Sequence, residues 1–491
     1  MFGDDKREVI NVMKIKTKGV ISDVFWSFFQ RGGSLVISFI SNMVLARLLV
    51  PEDFGCIGVI YIFISFADLL VDSGLAGALI QKKNVTQKDY DTVFTTNFAI
   101  SFFLYVLIFV FAPFFTRYFN IQNLDLYLRI VSISILFRAF FVVQSADLLK
   151  NLRFKEISIN GIVTTASSVI VAIVMAVYGL GIWSLISKNL IQPLLSCIMY
   201  RISSSVKCKF GIDKQSFKQL FGFGWFSMLT AFVDLLYANT VAFIVGKKYT
   251  VKDLGYYNQA NSLQQIPSYS LAMVIKQVLF PHMSRVQDDK ALMKEYSQRV
   301  MIVATFVIFP IMLYLISFAK PIVVLLYSDK WLPSAIFFQI LCVEGIVHSM
   351  IHIDRQILKA LGLTKLMFRI QVVVLAIGMV LLFVVQSFSI MALVWSLVLC
   401  AIINWIILAV ITGRRIGYSI FRQLADVAPA FLLSLFPMAL IRLFIDYLNI
   451  QVVPTLLVSA VLFFPVYIGA SFLFRTRGFK MTYALCFKRS K

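Results

Sequence analysis

A small set of ionisable side chains lies within stretches of the sequence that are otherwise almost entirely apolar. They are Arg31, Asp68, Asp72, Arg138, Lys188, Asp234, Lys276 and Glu344. Charged groups are costly in a bilayer, and they normally face the interior of a helix bundle or a wet cavity. The set therefore predicts a polar interior built from membrane-embedded elements.

The basic members predict an electropositive interior that attracts an anionic head group. The candidate substrate-binding residues are Arg31, Arg138, Lys188 and Lys276. The planar guanidinium fork of Arg fits phosphate oxygens particularly well. The alternative is internal pairing, in which Arg138 neutralises Asp68 and Asp234 neutralises a Lys. The sequence leaves both interpretations open for each residue.

The acidic and histidine residues fall at helical spacing. Asp68 and Asp72 share one helix face at i, i+4, and Glu344, His348 and His352 form one stripe at i, i+4, i+8. That stripe has three interpretations: a zinc site, a proton relay, or a cavity wall or helix contact. The zinc site would need a third ligand, which the stripe does not place. The candidate ion-coupling residues are Asp68, Asp72, Asp234, Glu344 and His348, and we predict no metal and no cofactor.

The elements that carry these residues are about fourteen apolar stretches, each long enough to cross a bilayer. Hydrophobic residues make up 60% of the 491 positions and charged residues 14%, which excludes a water-soluble domain. The sequence therefore predicts an all-α polytopic membrane protein. The predicted spans are 20–49, 55–80, 92–115, 124–149, 157–179, 182–201, 220–246, 256–281, 300–319, 332–358, 366–387, 389–412, 424–446 and 452–474.

The net charge of +22 is distributed between the spans rather than gathered on one face, which argues against nucleic acid as a partner. Alternate loops are basic, with Lys247, Lys248 and Lys252 as the exception. Because Lys and Arg are retained on the cytoplasmic side, we expect both termini in the cytoplasm. Residues 1–19 lack a cleavage site and are predicted to be a retained amphipathic segment.

An internal repeat organises the predicted spans. The turn Val50 to Gly55 returns 200 residues later as Thr250 to Gly255, where Asp is expected to cap the following helix and Gly to permit the turn. The repeat predicts two pseudo-symmetric six-helix bundles. The predicted domains are the bundles 20–201 and 220–412, the basic linker 202–219, two additional spans in 424–474 and the basic tail 475–491.

Several segments resemble the polysaccharide transporter family of the multidrug/oligosaccharidyl-lipid/polysaccharide flippase superfamily, which includes Wzx-type O-antigen and colanic-acid exporters. They are Phe25-Trp26 with Arg31, Leu48 to Gly55, Asp72 to Gln81, Asp253 to Tyr257 and Phe280 to Arg285. The span layout extends the resemblance over essentially the whole chain.

The resemblance implies two MATE-like bundles in a V around a cationic cavity. It also implies an oligosaccharide on undecaprenyl pyrophosphate, moved across the bacterial inner membrane by alternating access for surface polysaccharide such as lipopolysaccharide. The implied partners are this lipid, membrane lipids, a coupling ion (H⁺ or Na⁺) and glycan polymerase or ligase machinery. The sequence lacks a GxxxxGK[ST] nucleotide-binding loop, so the energy would come from an ion or substrate gradient.

Two other functions compete with glycan export. A cation-coupled multidrug exporter of the same superfamily would favour an acidic cavity, whereas Arg31, Arg138 and Lys276 are basic. A membrane glycan polymerase or ligase would need a sizeable outer loop or a catalytic His and carboxylate in a pocket. The loops are short and the candidate His residues share one helix, so we expect a transporter and not an enzyme.

Overall fold

The structure is a computed structural model that describes residues 26, 29–30, 32–72, 75–82, 84–286, 289–448 and 451–487. For residues 222–227, 230, 234, 269, 271–282, 284–285, 364 and 485–487 it describes the backbone alone. Arg31 thus lies outside the described residues, as do the side chains of Asp234 and Lys276. Within the described ranges the chain is helical and contains no strand.

The chain divides into two compact units, one up to Leu236 and one from Tyr237. The first unit contains α1 (Gly32–Leu48), α2 (Pro51–Asp72), α3 (Leu75–Gln81), α4 (Gln87–Phe119), α5 (Leu124–Val131), α6 (Ile133–Lys150), α7 (Phe154–Val177), α8 (Ile182–Ser203) and the first part of α9 (Lys214–Lys248). The division lies within α9, beyond the predicted linker.

The second unit is also helical throughout its described residues. It contains the end of α9, then α10 (Val251–Arg285), α11 (Lys290–Ser317), α12 (Ala319–Tyr327), a 3₁₀ turn (Asp329–Trp331), α13 (Ser334–Ala360), α14 (Thr364–Val385), α15 (Ile390–Ile416), α16 (Ile420–Leu448), α17 (Val452–Leu473) and α18 (Arg477–Phe487). The predicted bundle and linker boundaries stay predictions.

Eleven helical segments in the described part of the chain are long and apolar enough to cross a membrane. They correspond to the second to sixth and ninth to fourteenth predicted spans. The first predicted span corresponds to the shorter apolar helix α1, and the seventh and eighth lie in α9 and α10, which have 35 residues each. The count of about fourteen therefore stays a prediction.

The repeated turn begins a helix in both units. Thr250 and Asp253 form a capping box at the start of α10, in which Asp253 Oδ2 accepts from the Thr250 amide at 3.2 Å. Asp53 Oδ2 accepts from the Val50 amide at 3.4 Å at the start of α2. The expectation that the glycines form the turn is wrong, because Gly55 and its counterpart lie inside these helices.

Helix packing explains which side chains can meet inside each unit. In the first unit α2 packs against α4, α6 and α8, and α6 also packs against α4 and α8. In the second unit α13 is central and packs against α10, α11 and α15. Polar residues on α2, α6 and α8 are therefore brought together, as are those that α13 shares with its neighbours.

Candidate functional site

A polar cavity of about 270 Å³ lies within the first unit, between α2, α6 and α8. Its apolar wall includes Ile57, Ile60 and Ile64 from α2 and Phe141 from α6. Its polar lining consists of Tyr61, Asp68, Ser134, Arg138, Asn189, Gln192 and Ser196. A cavity with charged, amide and hydroxyl groups inside apolar helices is the polar interior that the intramembrane charges predict.

Arg138 holds both carboxylates of α2 with the two arms of its guanidinium. Nη1 donates to Asp68 Oδ2 at 3.1 Å, and Nη2 donates to Asp72 Oδ2 at 3.0 Å. All three side chains are partly exposed, whereas the Nε atom is buried and has no hydrogen-bond partner in the described structure. Internal pairing is therefore the arrangement of Arg138, and two carboxylates share one cation.

The wall on α8 presents amide and hydroxyl groups. The Tyr61 hydroxyl donates to Asn189 Oδ1 at 2.6 Å, and Gln192 Nε2 donates to the Thr165 hydroxyl at 3.3 Å. These residues were missed in the sequence because uncharged polar groups are common in spans. Their spacing contains the signal, since Asn189, Gln192 and Ser196 recur at three- and four-residue intervals on one helix face.

Lys188 is also on α8 but is not part of the cavity lining. Its Nζ atom donates to the Ser41 hydroxyl of α1 at 3.3 Å, and no carboxylate pairs with it among the described residues. The structure therefore separates the two described basic candidates. Arg138 is neutralised by acidic residues, whereas Lys188 is bonded to a neutral hydroxyl.

In the second unit, the predicted stripe of α13 is present. His348 Nε2 lies 3.2 Å from Glu344 Oε1, and the His348 and His352 rings are 6.2 Å apart. Glu344 is near Tyr237 and Tyr257, which belong to α9 and α10. No group of three or more His, Cys, Asp or Glu side chains is placed to hold a metal ion within the described ranges. The relay remains a hypothesis.

A second acidic residue of α13 is more deeply buried than the stripe. Asp354 Oδ1 lies 2.8 Å from the Thr412 hydroxyl of α15, and Oδ2 is buried with no hydrogen-bond partner in the described structure. Helix α13 therefore has a polar contact with α15 through Asp354, in addition to Glu344 near the tyrosines of α9 and α10.

The family model described as "Polysaccharide biosynthesis protein" matches residues 44–336. The matched region covers more than half of the chain. The chain belongs to the polysaccharide biosynthesis protein family. This membership confirms the resemblance of the sequence to polysaccharide transporters.

Curated relatives carry related names. The chain is 24% identical to the teichuronic acid biosynthesis protein TuaB of Bacillus subtilis over 80% of its own length and 82% of the relative. It is 24% identical to the lipopolysaccharide biosynthesis protein WzxC of Escherichia coli over 69% of both chains. The match with the succinoglycan biosynthesis transport protein ExoT of Rhizobium meliloti, also 24% identical, covers 65% of this chain and 64% of ExoT, just under two thirds of that relative.

Solved structures share the fold. The lipid II flippase MurJ in an inward closed conformation superposes with a TM-score of 0.75 and 17% identity, over 93% of this chain and 99% of that one. An inward-facing multidrug resistance MATE family transporter of the MOP superfamily superposes with a TM-score of 0.57 and 13% identity, over 78% of this chain and 94% of that one. At these identities the similarity shows the fold alone, which is that of a multi-pass, all-helical MurJ- and MATE-like membrane protein.

Proposed function

We propose that this family member moves a lipid-linked oligosaccharide across the bacterial inner membrane for surface polysaccharide synthesis, by alternating access. The observation that carries the proposal is the cavity of the first unit, where Arg138, Asn189 and Gln192 line a space between membrane-spanning helices. Amide and hydroxyl groups suit sugar hydroxyls, and a guanidinium suits phosphate. The names of ExoT, TuaB and WzxC, which refer to three different bacterial polysaccharides, support a glycan as cargo.

In this proposal the cargo is an oligosaccharide on undecaprenyl pyrophosphate. Lys188 is the more available cation, because its described partner is the neutral Ser41 hydroxyl, whereas a phosphate must compete with two carboxylates for Arg138. Arg31 and Lys276 stay in the proposed binding set by their positions in the sequence. Both termini are proposed to be cytoplasmic, where a lipid-linked precursor would be loaded.

The charges of the first unit support the proposed ion coupling. Asp68 and Asp72 together carry two negative charges against the single positive charge of Arg138, so the ionised cluster has an excess negative charge. Binding of H⁺ or Na⁺ would compensate that charge and loosen the hold on Arg138, which would then be free for phosphate. Glu344 and His348 are proposed as a coupling pair in the second unit, with Asp234 as a further candidate.

The test is a flipping assay with the purified chain in proteoliposomes. The probe is a fluorescent oligosaccharide on undecaprenyl pyrophosphate, and its arrival in the opposite leaflet is scored by protection from an added glycosidase. We expect flipping that Arg138→Ala abolishes. Absence of flipping, with efflux of cationic dyes from the same vesicles, would replace glycan export by drug export. Lengthening of the glycan would instead indicate a polymerase.

In cells, the proposed cargo implies dependence on the machinery that consumes it. A glycan polymerase or ligase acting at the outer leaflet would be the next step, so loss of this chain should trap lipid-linked repeat units on the cytoplasmic side. Thin-layer analysis of the lipid fraction from a deletion strain measures this accumulation. An unchanged lipid fraction and normal surface glycan would contradict the proposal.

A further inference from the structure

The segment between α8 and α9, residues 204–213, lies extended along the first turns of α4. We name it the strap. In the second half of the strap, three alternate residues donate their backbone amides to side-chain oxygens of α4. The pairs are Lys209 with Asp91 at 2.8 Å, Gly211 with Thr95 at 2.9 Å and Asp213 with Thr92 at 2.9 Å. These hydrogen bonds fix the backbone of the strap against α4.

Both ends of the strap are also fixed. The Ser204 hydroxyl donates to Asp147 Oδ2 in the last turn of α6 at 2.9 Å. At the other end, Asp213 Oδ2 accepts from the Ser216 amide at 2.9 Å and so caps the start of α9. That hydrogen bond holds the pKa of the Asp213 carboxyl below its usual range. The strap is therefore an ordered part of the first unit.

The middle of the strap is attached by one partly buried side chain. Cys208 packs against the core of the unit, and its Sγ lies 3.9 Å from Gln144 Nε2. Burial, with the nearby Asp91 carboxylate, raises the pKa of the Cys208 thiol to about 12. The thiol is accordingly a packing group, and the residues on either side of it are turned outward.

Apolar side chains project from this surface. Phe210 packs its ring against Phe94 and Phe98 of α4, at 5.2 and 5.3 Å between centroids, yet is 66% exposed. Ile212 is 62% exposed.

Basic side chains surround these apolar tips. Lys207 and Lys209 precede and alternate with the apolar residues, and Lys214 and Lys218 follow on the first turns of α9; all four are exposed. The supporting helix α4 is itself peripheral, because only 17% of the residues in its most apolar segment are buried inside the structure. The strap thus presents apolar tips and ammonium groups at the ends of membrane-spanning helices.

We infer that the strap is a docking surface for anionic phospholipid of the leaflet on the predicted cytoplasmic side. Phe210 and Ile212 enter the boundary between head groups and acyl chains, while Lys207 and Lys209 contact lipid phosphates. Aromatic and aliphatic tips flanked by Lys are the arrangement by which segments bind an anionic membrane surface. The hydrogen bonds to α4 hold the segment in place before lipid binds, so little ordering remains to oppose binding.

This surface is distinct from the proposed transport cavity, because none of its residues lines that cavity. The carboxylates of an acidic protein partner would pair with the Lys residues. Such pairing would not involve Phe210 and Ile212. At the boundary between head groups and acyl chains, a lipid bilayer offers phosphates to the Lys residues and apolar chains to Phe210 and Ile212. We therefore expect discrimination by head-group charge that also depends on the apolar tips.

The test uses the purified full chain in a nonionic detergent, titrated with phosphatidylglycerol or with phosphatidylcholine of the same acyl chains. Bound lipid is counted by native mass spectrometry. We expect the parent to prefer phosphatidylglycerol, and the pair Lys207→Gln/Lys209→Gln to bind it about 25-fold more weakly, at about fivefold per Lys. The pair Lys207→Arg/Lys209→Arg should retain binding.

A matched control is available at the other end of α9. Lys247 and Lys248 are also exposed, but no strap supports them, so Lys247→Gln/Lys248→Gln should change phosphatidylglycerol binding less than twofold. Phe210→Ser, checked for an unchanged melting temperature, should weaken binding severalfold without altering the charge. Equal loss in the control pair, or unchanged binding in the strap pair, would overturn the inference. So would displacement of the lipid by millimolar glycerol phosphate, which would indicate a site for the free anion.

Discussion

Arg138 on α6 and Asp68 on α2 are 70 residues apart in the sequence and 3.1 Å apart in the structure. Removing the cation alone would leave Asp68 and Asp72 facing each other without compensation. We predict that Arg138→Ala lowers the free energy of unfolding by about 1–3 kcal/mol, less than a fully buried pair would lose because the groups are partly exposed. A melting curve in detergent measures the change, and flipping should be lost as well.

The triple variant Arg138→Ala/Asp68→Asn/Asp72→Asn separates the charge balance that stabilises this cluster from the role of the whole cluster in transport. It removes the cation together with both charges that the cation balances. Thermal stability should return close to that of the parent, whereas flipping should stay below about one tenth of it. Recovery of both properties would assign Arg138 to structure alone.

Replacement of Lys188 is expected to affect stability in the opposite direction to replacement of Arg138. Its described partner is the Ser41 hydroxyl, so Lys188→Met breaks no ion pair and removes an ammonium group from an apolar helix. We predict an equal or higher melting temperature together with at least a tenfold loss of flipping, because the substrate phosphate would lose a cation. Lys188→Arg should retain part of the activity. A destabilised but active Lys188→Met protein would show that the ammonium group serves packing.

The sequence predicts the helices of this site better than the contacts between them. The apolar stretches and the four-residue spacing of Asp68 and Asp72 follow from helical periodicity, which is local. That Arg138 spans both carboxylates depends on the packing of α6 against α2, which no local pattern contains. Asn189 was missed because a neutral amide is inexpensive enough to occur anywhere in a span.

The strap illustrates a second limit of sequence-based prediction. Its basic residues identify a linker between spans, and composition predicts no more than that. Its conformation is set by backbone amides that bond to side chains more than a hundred positions earlier, as in Lys209 with Asp91. Backbone donors look the same at every residue, so the sequence gives no sign of where such bonds form.

Glu344 and His348 give a prediction about pH. Their 3.2 Å contact allows a proton to be shared between the two side chains. If the pair carries protons, Glu344→Gln should flatten the dependence of flipping on pH. Glu295→Gln is the control, because Glu295 pairs with Arg299 at the same four-residue spacing on an exposed surface. A parallel pH profile in parent and Glu344→Gln would assign the stripe to a helix contact.

Two glycines in the second unit test the packing of the fold. A Cβ built on Gly413 would lie 2.7 Å from the Tyr418 backbone oxygen, in the turn between α15 and α16. Because backbone cannot move aside as a flexible side chain can, we predict that Gly413→Ala destabilises the chain by about 1–3 kcal/mol. A Cβ on Gly469 of α17 meets nothing within 4 Å, so Gly469→Ala should be neutral or stabilising by up to about 1 kcal/mol. Differential scanning fluorimetry compares the two variants, and equal melting temperatures would contradict the close approach of Tyr418 to α15.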